Sequence, residues 1–200
     1  MKLYTHPIST TCRPIMMFAA EQGIPLDMQV VDLFTGEHTK APYGAINPNH
    51  LIPVLEDGDF QLTESSAIMK YLAEKAGSPL YPKDLQQRAR VNERMDWINT
   101  QLGREFCYGV VYPQIFPHHK RRSAEAQEAT LQWGKEHAQR WLKVLDENIL
   151  GPGNNYLCGD SLTIADFYGA AFLTLGEVVG CRFSDYPNVQ RWLGRMKALK

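Results

Sequence analysis

The rhythm of apolar and polar positions changes once along this chain, near residue 76. Before that point, short apolar runs alternate with stretches whose apolar residues recur every third or fourth position, the pattern of short strands separated by helices. Residues 2–5 are expected as a strand, 11–22 as a helix ended by Gly23, and 26–31 as a second strand. Residues 52–55 form a third apolar run, and Asp57-Gly58 is a turn pair leading into a fourth strand. Thr63-Glu64-Ser65 precedes Ile68, Tyr71 and Leu72 on one face, which puts Glu64 and Ser65 in the first turn of a helix.

Gly77-Ser78-Pro79-Leu80-Tyr81-Pro82-Lys83 carries the turn residues of a linker, and beyond it the strand signals stop. Val91, Met95, Ile98 and Leu102 predict a helix over about 85–108. Trp133, His137, Trp141 and Val144 predict the packed face of a second helix, over 123–150, with His137 as a hydrogen-bonded core histidine and Gly151-Pro152-Gly153 as the break. Thr163-Ile164-Ala165-Asp166 has the outline of a capping box, with Leu162 and Phe167 placed as its hydrophobic staple. Ile164, Tyr168, Ala171, Phe172 and Leu175 follow as the stripe of a buried helix, and a last helix is expected over 187–199. The fold class is therefore an α/β unit over 1–76, a linker over 77–84 and an all-helical unit over 85–200.

Composition narrows the function classes. With 44% hydrophobic residues among 200, the chain can fill a core, and a formal charge of −1 provides no field for nucleic acid or an anionic membrane. The one basic run, His118-His119-Lys120-Arg121-Arg122, is expected as an exposed interhelix loop. No apolar run approaches a membrane span, and the N-terminus lacks a signal layout, so a cytosolic protein is expected. Cys12, Cys107, Cys158 and Cys181 are scattered without C-x-x-C spacing, which points to reduced thiols, with neither disulfides nor a metal site.

The candidate chemistry lies in two loops and one helix start. Pro53 removes a backbone donor and permits a cis Ile52-Pro53 bond, leaving the Ile52 amide and carbonyl for a peptide-like ligand to pair with as an added strand. Free amides at the start of the following helix attract a carboxylate, and Glu64 can hold an ammonium, so these groups suit an amino-acid head on a peptide body. In His6-Pro7-Ile8-Ser9-Thr10-Thr11-Cys12-Arg13-Pro14, a hydroxyl can cap the helix or face a ligand. Ser9 and Cys12 keep the spacing of a redox pair whose attacking cysteine has become serine, which argues against disulfide exchange, and Cys12 is expected to be buried. If the ligand carries a thiol, one hydrogen bond to the thiolate supplies about 1.5–3 kcal/mol and a helix N-terminus about 0.3–1 more. At about 1.4 kcal/mol per pKa unit that is a depression of about two units, enough to generate a thiolate without a general base or a metal.

The motifs N-P-x-x-x-I-P-V-L, D-G-D-F-x-L-T-E-S and S-L-T-I-A-D-F, with the proline-containing linker, make the whole chain resemble the cytosolic glutathione transferases. The resemblance implies a thioredoxin-like N-terminal domain that binds glutathione, a helical domain that supplies most of the electrophile pocket, and a homodimer. L-Y-x-x-x-x-S-x-x-C-R and D-L-F-T-G-E-H are most similar to the theta class and its bacterial relatives, which use a serine, so Ser9 is the implied activator. Ile52, ahead of Pro53, is implied to pair with the cysteinyl part, Glu64 and Ser65 with the γ-glutamyl end, and His38 with the glycine carboxylate. Leu51 stands where theta members carry a lysine, and His50 is expected to take over that carboxylate contact. Asn99 and Thr100 are the candidates for reaching a neighbouring subunit. Arg104, Phe106, Cys107, Tyr108 and Tyr112 are expected either to border the electrophile or to serve as ordinary core and surface. The implied activity is conjugation of glutathione to a small hydrophobic electrophile. The alternatives are a non-catalytic binding module and a glutathione-dependent peroxidase or reductase.

Overall fold

The computed structural model describes residues 1–199. β1 (Lys2–Thr5) runs parallel to β2 (Asp27–Val30) on one side and antiparallel to β3 (Val54–Asp57) on the other, with β4 (Phe60–Leu62) outermost beyond β3. In this register Leu3 faces Met28 and Leu55 across its two neighbours. Leu3 and Thr5 are buried while Lys2 and Tyr4 are half-exposed, the alternation of a strand with one covered face. α1 (Arg13–Glu21) and α3 (Ser65–Lys75) pack together, bringing Ile15, Phe18 and Ala19 against a helix that buries Ile68, Met69 and Leu72.

Local chemistry decides where these elements begin. α1 starts at Arg13, later than the pattern suggests, with Pro14 in a first turn that has no use for its missing N–H. Ser9, Thr10 and Thr11 are thereby left in the loop. The hairpin turns through Gly58-Asp59, one residue later than expected, because Asp57 pairs with Phe60 and the positive φ of +61° falls on Gly58. The Asp57 carboxylate accepts the Tyr71 hydroxyl at 2.6 Å and pairs with Lys75, tying the hairpin to α3. Between β2 and β3 the chain makes a single 3₁₀ turn, Glu37–Thr39, and the short α2 (Ala41–Gly44).

The chain divides into two compact units, Met1–Tyr81 and the part from Pro82 onward. In the second, α4 (Leu85–Trp97) is capped by Asp84, which accepts the Gln87 amide at 2.9 Å. The helical path then widens into π-type turns over Ile98–Leu102 and Arg104–Val111 before α5 (Tyr112–Ile115). α6 (Ala124–Val144), capped by Ser123, widens similarly over Leu145–Leu150 and stops at Gly151. α7 (Ile164–Val178) and α8 (Pro187–Lys197) complete the unit.

One expectation is overturned here. Trp133 and His137 lie exposed, stacked on each other, and Trp141 and Val144 are only half-buried. The packed face of α6 is instead Gly134, Ala138 and Leu142. Its small residues admit the chain at Gly109 so closely that a Cβ on Gly134 would lie 2.4 Å from the Gly109 carbonyl. His137 is thus a surface residue, its Nδ1 3.0 Å from the Trp133 carbonyl, rather than a core histidine.

The capping box forms as the sequence suggests. Asp166, fully buried, accepts from the Thr163 amide and the Leu157 amide, each at 2.8 Å, and from the Thr163 hydroxyl and the Trp192 indole, each at 3.0 Å. Burial pushes its carboxyl upward while these four donors pull it back. Asp146, also buried, accepts the amides of Asn188 and Val189 at 2.7 and 2.9 Å and so serves the N-terminus of α8 from another segment. Among the described residues no helix is long and apolar enough to cross a membrane, and no group of three or more His, Cys, Asp or Glu could hold a metal ion.

Candidate active site

The loop after β1 turns back on itself through the Ser9 amide, which donates to the His6 carbonyl at 3.0 Å. Ser9 is buried, 7% exposed, and both of its oxygens face the start of α1. Its carbonyl accepts the Arg13 amide at 2.9 Å, and its Oγ accepts the Cys12 amide at 3.3 Å. With one lone pair committed to that amide, the hydroxyl keeps its proton as the function it can offer elsewhere. Thr11 lies beside it, Oγ1 to Oγ at 3.0 Å, and donates to the Ile52 carbonyl at 3.2 Å. Ser9 and Ile52 are thus joined through Thr11.

Cys12 is buried as expected. Burial pushes its thiol upward, against partial relief from the Ser9, Thr5 and Thr11 hydroxyls and a hydrogen bond from the His6 backbone, so it stays protonated. Thr10 is buried as well.

The approach to Ile52 is built by residues that the motif reading did not single out. The Leu51 carbonyl accepts from the Asn47 side chain at 2.7 Å and from the Tyr43 hydroxyl at 2.8 Å, and Asn47 also accepts the Asn49 amide at 3.0 Å. Burial pushes the Tyr43 phenol upward, which keeps it a neutral donor. The Asn47-Pro48 pair was the available signal, since a buried asparagine that bonds its own chain two residues on is a turn-maker. Ile52-Pro53 is cis, both residues are buried, and they precede β3. Among the described residues no protein acceptor meets the Ile52 amide.

His38 is buried in the 3₁₀ turn, and His50 reaches it, Nδ1 to the His38 carbonyl at 2.9 Å. A carbonyl only accepts, so Nδ1 carries the proton, and a neutral ring offers Nε2 as an acceptor alone. The ring lies over Gly44, where a Cβ would sit 2.7 Å from His50 Cε1. Glu64 stands just outside α3, as its N-cap, with φ +64° and ψ +113°; Ser65 is the first helical residue and is buried. The expectation that both occupy the first turn holds for Ser65 only. The exposed Glu64 carboxylate and the first amides of α3 leave one anionic group next to an anion-attracting helix end.

In the second unit, Asn99 is exposed within the first wide turn. Phe106, Cys107 and Tyr112 are buried, whereas Arg104 and Tyr108 are exposed. Tyr4 lies within β1, its ring edge-on to Tyr43 at 6.2 Å.

Residues 8–75 match the family model for the glutathione S-transferase N-terminal domain, and 106–200 match the glutathione S-transferase C-terminal domain. The sequence is 33% identical to human glutathione S-transferase theta-1 over 99% of this chain and 82% of that protein. The fold superposes on apo human glutathione S-transferase T1-1 with a TM-score of 0.86, covering 99% of this chain and 83% of that one. It superposes on human glutathione transferase theta-2, solved with glutathione and an unknown ligand, with a TM-score of 0.85 at 33% identity, covering 99% of this chain and 81% of that one. Two domain models in the family's order, and a full-length relative at this identity, establish that the chain belongs to the glutathione S-transferase family.

Proposed function

We propose that this chain is a glutathione transferase whose Ser9 hydroxyl holds the thiol of glutathione as a thiolate for attack on a small hydrophobic electrophile. The observation that carries the assignment to Ser9 is the Cys12 amide on its oxygen. That bond takes one lone pair of the oxygen and leaves the proton as the function the hydroxyl can offer, for which a bound thiolate is a stronger acceptor than a neutral oxygen. The thiol proton leaves to solvent, so no side-chain base is required. Glutathione is the co-substrate, as the relatives' names and the theta-2 complex support.

The remaining groups suit the rest of the tripeptide. The Ile52 amide and carbonyl offer a strand-like pairing to its cysteinyl residue, with Pro53 shaping the approach. Glu64 offers a carboxylate to the γ-glutamyl ammonium, and Ser65 with the N-terminal amides of α3 offers donors to its carboxylate. His38 and His50 are the candidates for the glycine carboxylate, where His50 donates through Nε2 only as an imidazolium. Asn99 is the candidate for contact with a second subunit of a homodimer, the state expected from the family; sedimentation equilibrium tests it.

Ser9→Ala tests the reading. Loss of one charge-assisted hydrogen bond raises the thiol pKa in the complex by about 1–2 units and lowers the conjugation rate at neutral pH about 10- to 100-fold. Glutathione affinity changes less than about threefold, because the peptide contacts remain. A thiolate absorbance titration that matches wild type removes Ser9 from the mechanism.

A further inference from the structure

Thr11 has one proton, and the Ile52 carbonyl, which cannot donate, takes it at 3.2 Å. In the 3.0 Å pair between Ser9 and Thr11 the proton must therefore come from Ser9. The Ser9 oxygen already accepts the Cys12 amide, so in the free protein the serine's one donor function is turned to its neighbour. The chain of donation runs Ser9 to Thr11 to Ile52, and it ends on the carbonyl proposed above to receive the ligand's backbone.

We propose that Thr11 is a positioning residue, part of a two-hydroxyl relay that holds the Ser9 proton inward until a peptide N–H occupies the Ile52 carbonyl and then turns it toward the bound sulfur. This rests on the assignment of Ser9. When the ligand amide donates to Ile52, Thr11 competes for a shared acceptor at a distance already long for O–H···O. The Ser9 oxygen, once its proton points at a thiolate, is the better acceptor, because hydrogen bonds in a chain strengthen one another. Thr11 then rotates to donate to Ser9, and Ser9 donates to sulfur. Two protons are present before and after, both on their own oxygens, and no bond other than hydrogen bonds forms or breaks. Among titratable groups, the Cys12 thiol lies against both hydroxyls and His6 stands at the start of the same loop. A protonated Cys12 contributes at most a weak donor.

The experiment titrates the thiolate absorbance of the glutathione complex in wild type, Thr11→Val, Thr11→Ser, Ser9→Ala and the Ser9→Ala/Thr11→Val double variant, with thermal melts to confirm folding. Thr11→Val keeps the shape and removes the relay; the thiol pKa is expected to rise by about half a unit, with kcat below that pKa falling about threefold. Thr11→Ser restores both values, and Thr11→Val has no added effect once Ser9 is alanine. A carbonyl has a second lone pair, and if Thr11 stays on Ile52 in the complex, Thr11→Val leaves the titration unmoved or lowers the pKa; either result overturns the relay. An equal shift in both Ser9 backgrounds also overturns it, since Thr11 then acts on the sulfur directly. A Ser9→Ala titration that matches wild type instead removes the assignment on which the relay stands.

Discussion

Glu64 holds a backbone conformation that a side-chain-bearing residue rarely adopts, at φ +64° and ψ +113°. Such strain costs about 1–3 kcal/mol and persists where the surroundings demand the geometry. At this position it ends the approach to α3 abruptly and leaves the carboxylate exposed beside the helix start. Glu64→Ala keeps the strain and loses the charge, so its melting temperature stays close to wild type while the KM for glutathione rises about tenfold, the loss of one charge-assisted contact. Glu64→Gly relieves the strain and is expected to melt above Glu64→Ala. Equal melting temperatures for the two would mean that the backbone is unstrained there. The place of Glu64 at the helix start was legible in the motif, but its backbone angle was not, because nothing local to a Thr-Glu-Ser sequence asks for positive φ.

At the scale of elements, the contact between α6 and the wide turns over Arg104–Val111 depends on two glycines. Backbone meets backbone at Gly109 and Gly134, and the alanine methyl of Gly134→Ala would lie 2.4 Å from main-chain atoms that cannot rotate aside. Overpacking of this kind costs about 1–3 kcal/mol or more, so urea unfolding of Gly134→Ala should shift well below wild type. Trp133→Ala, one residue away but 47% exposed, should change stability by less than about 1 kcal/mol. The reverse ranking would return the packed face to the tryptophans. Apolar periodicity misled at α6 because it follows large side chains, whereas close helix approach selects small ones. The capping box at Thr163 and Asp166 was readable for the opposite reason: its partners are three residues apart and need no knowledge of the fold.

Across the whole molecule, all four thiols have pKa values raised by burial, with Cys158 pushed up to about 11. A raised thiol pKa means that the reactive thiolate appears only as pH climbs; for a pKa of 11 about 0.1% is ionised at pH 8. Iodoacetamide at pH 8 should therefore label the folded protein far more slowly than the urea-unfolded chain, with conjugation activity retained. Fast labelling of Cys12 with loss of activity would reopen a thiol mechanism in the first loop. Neighbouring positions were enough to read the succession of strands and helices, the hairpin, the capping box, and Ile52, Glu64 and Ser65 as candidates, because turn residues and short-range hydrogen bonds write these features locally, whereas Ser9 became a candidate through the family resemblance of its loop. Folding in three dimensions decided which face of α6 is packed, where the long helices widen, and which groups lie beside the Ser9 hydroxyl. The last depends on a threonine meeting a carbonyl 41 residues further along the chain, and a spacing rule has no access to a partner that folding alone brings near.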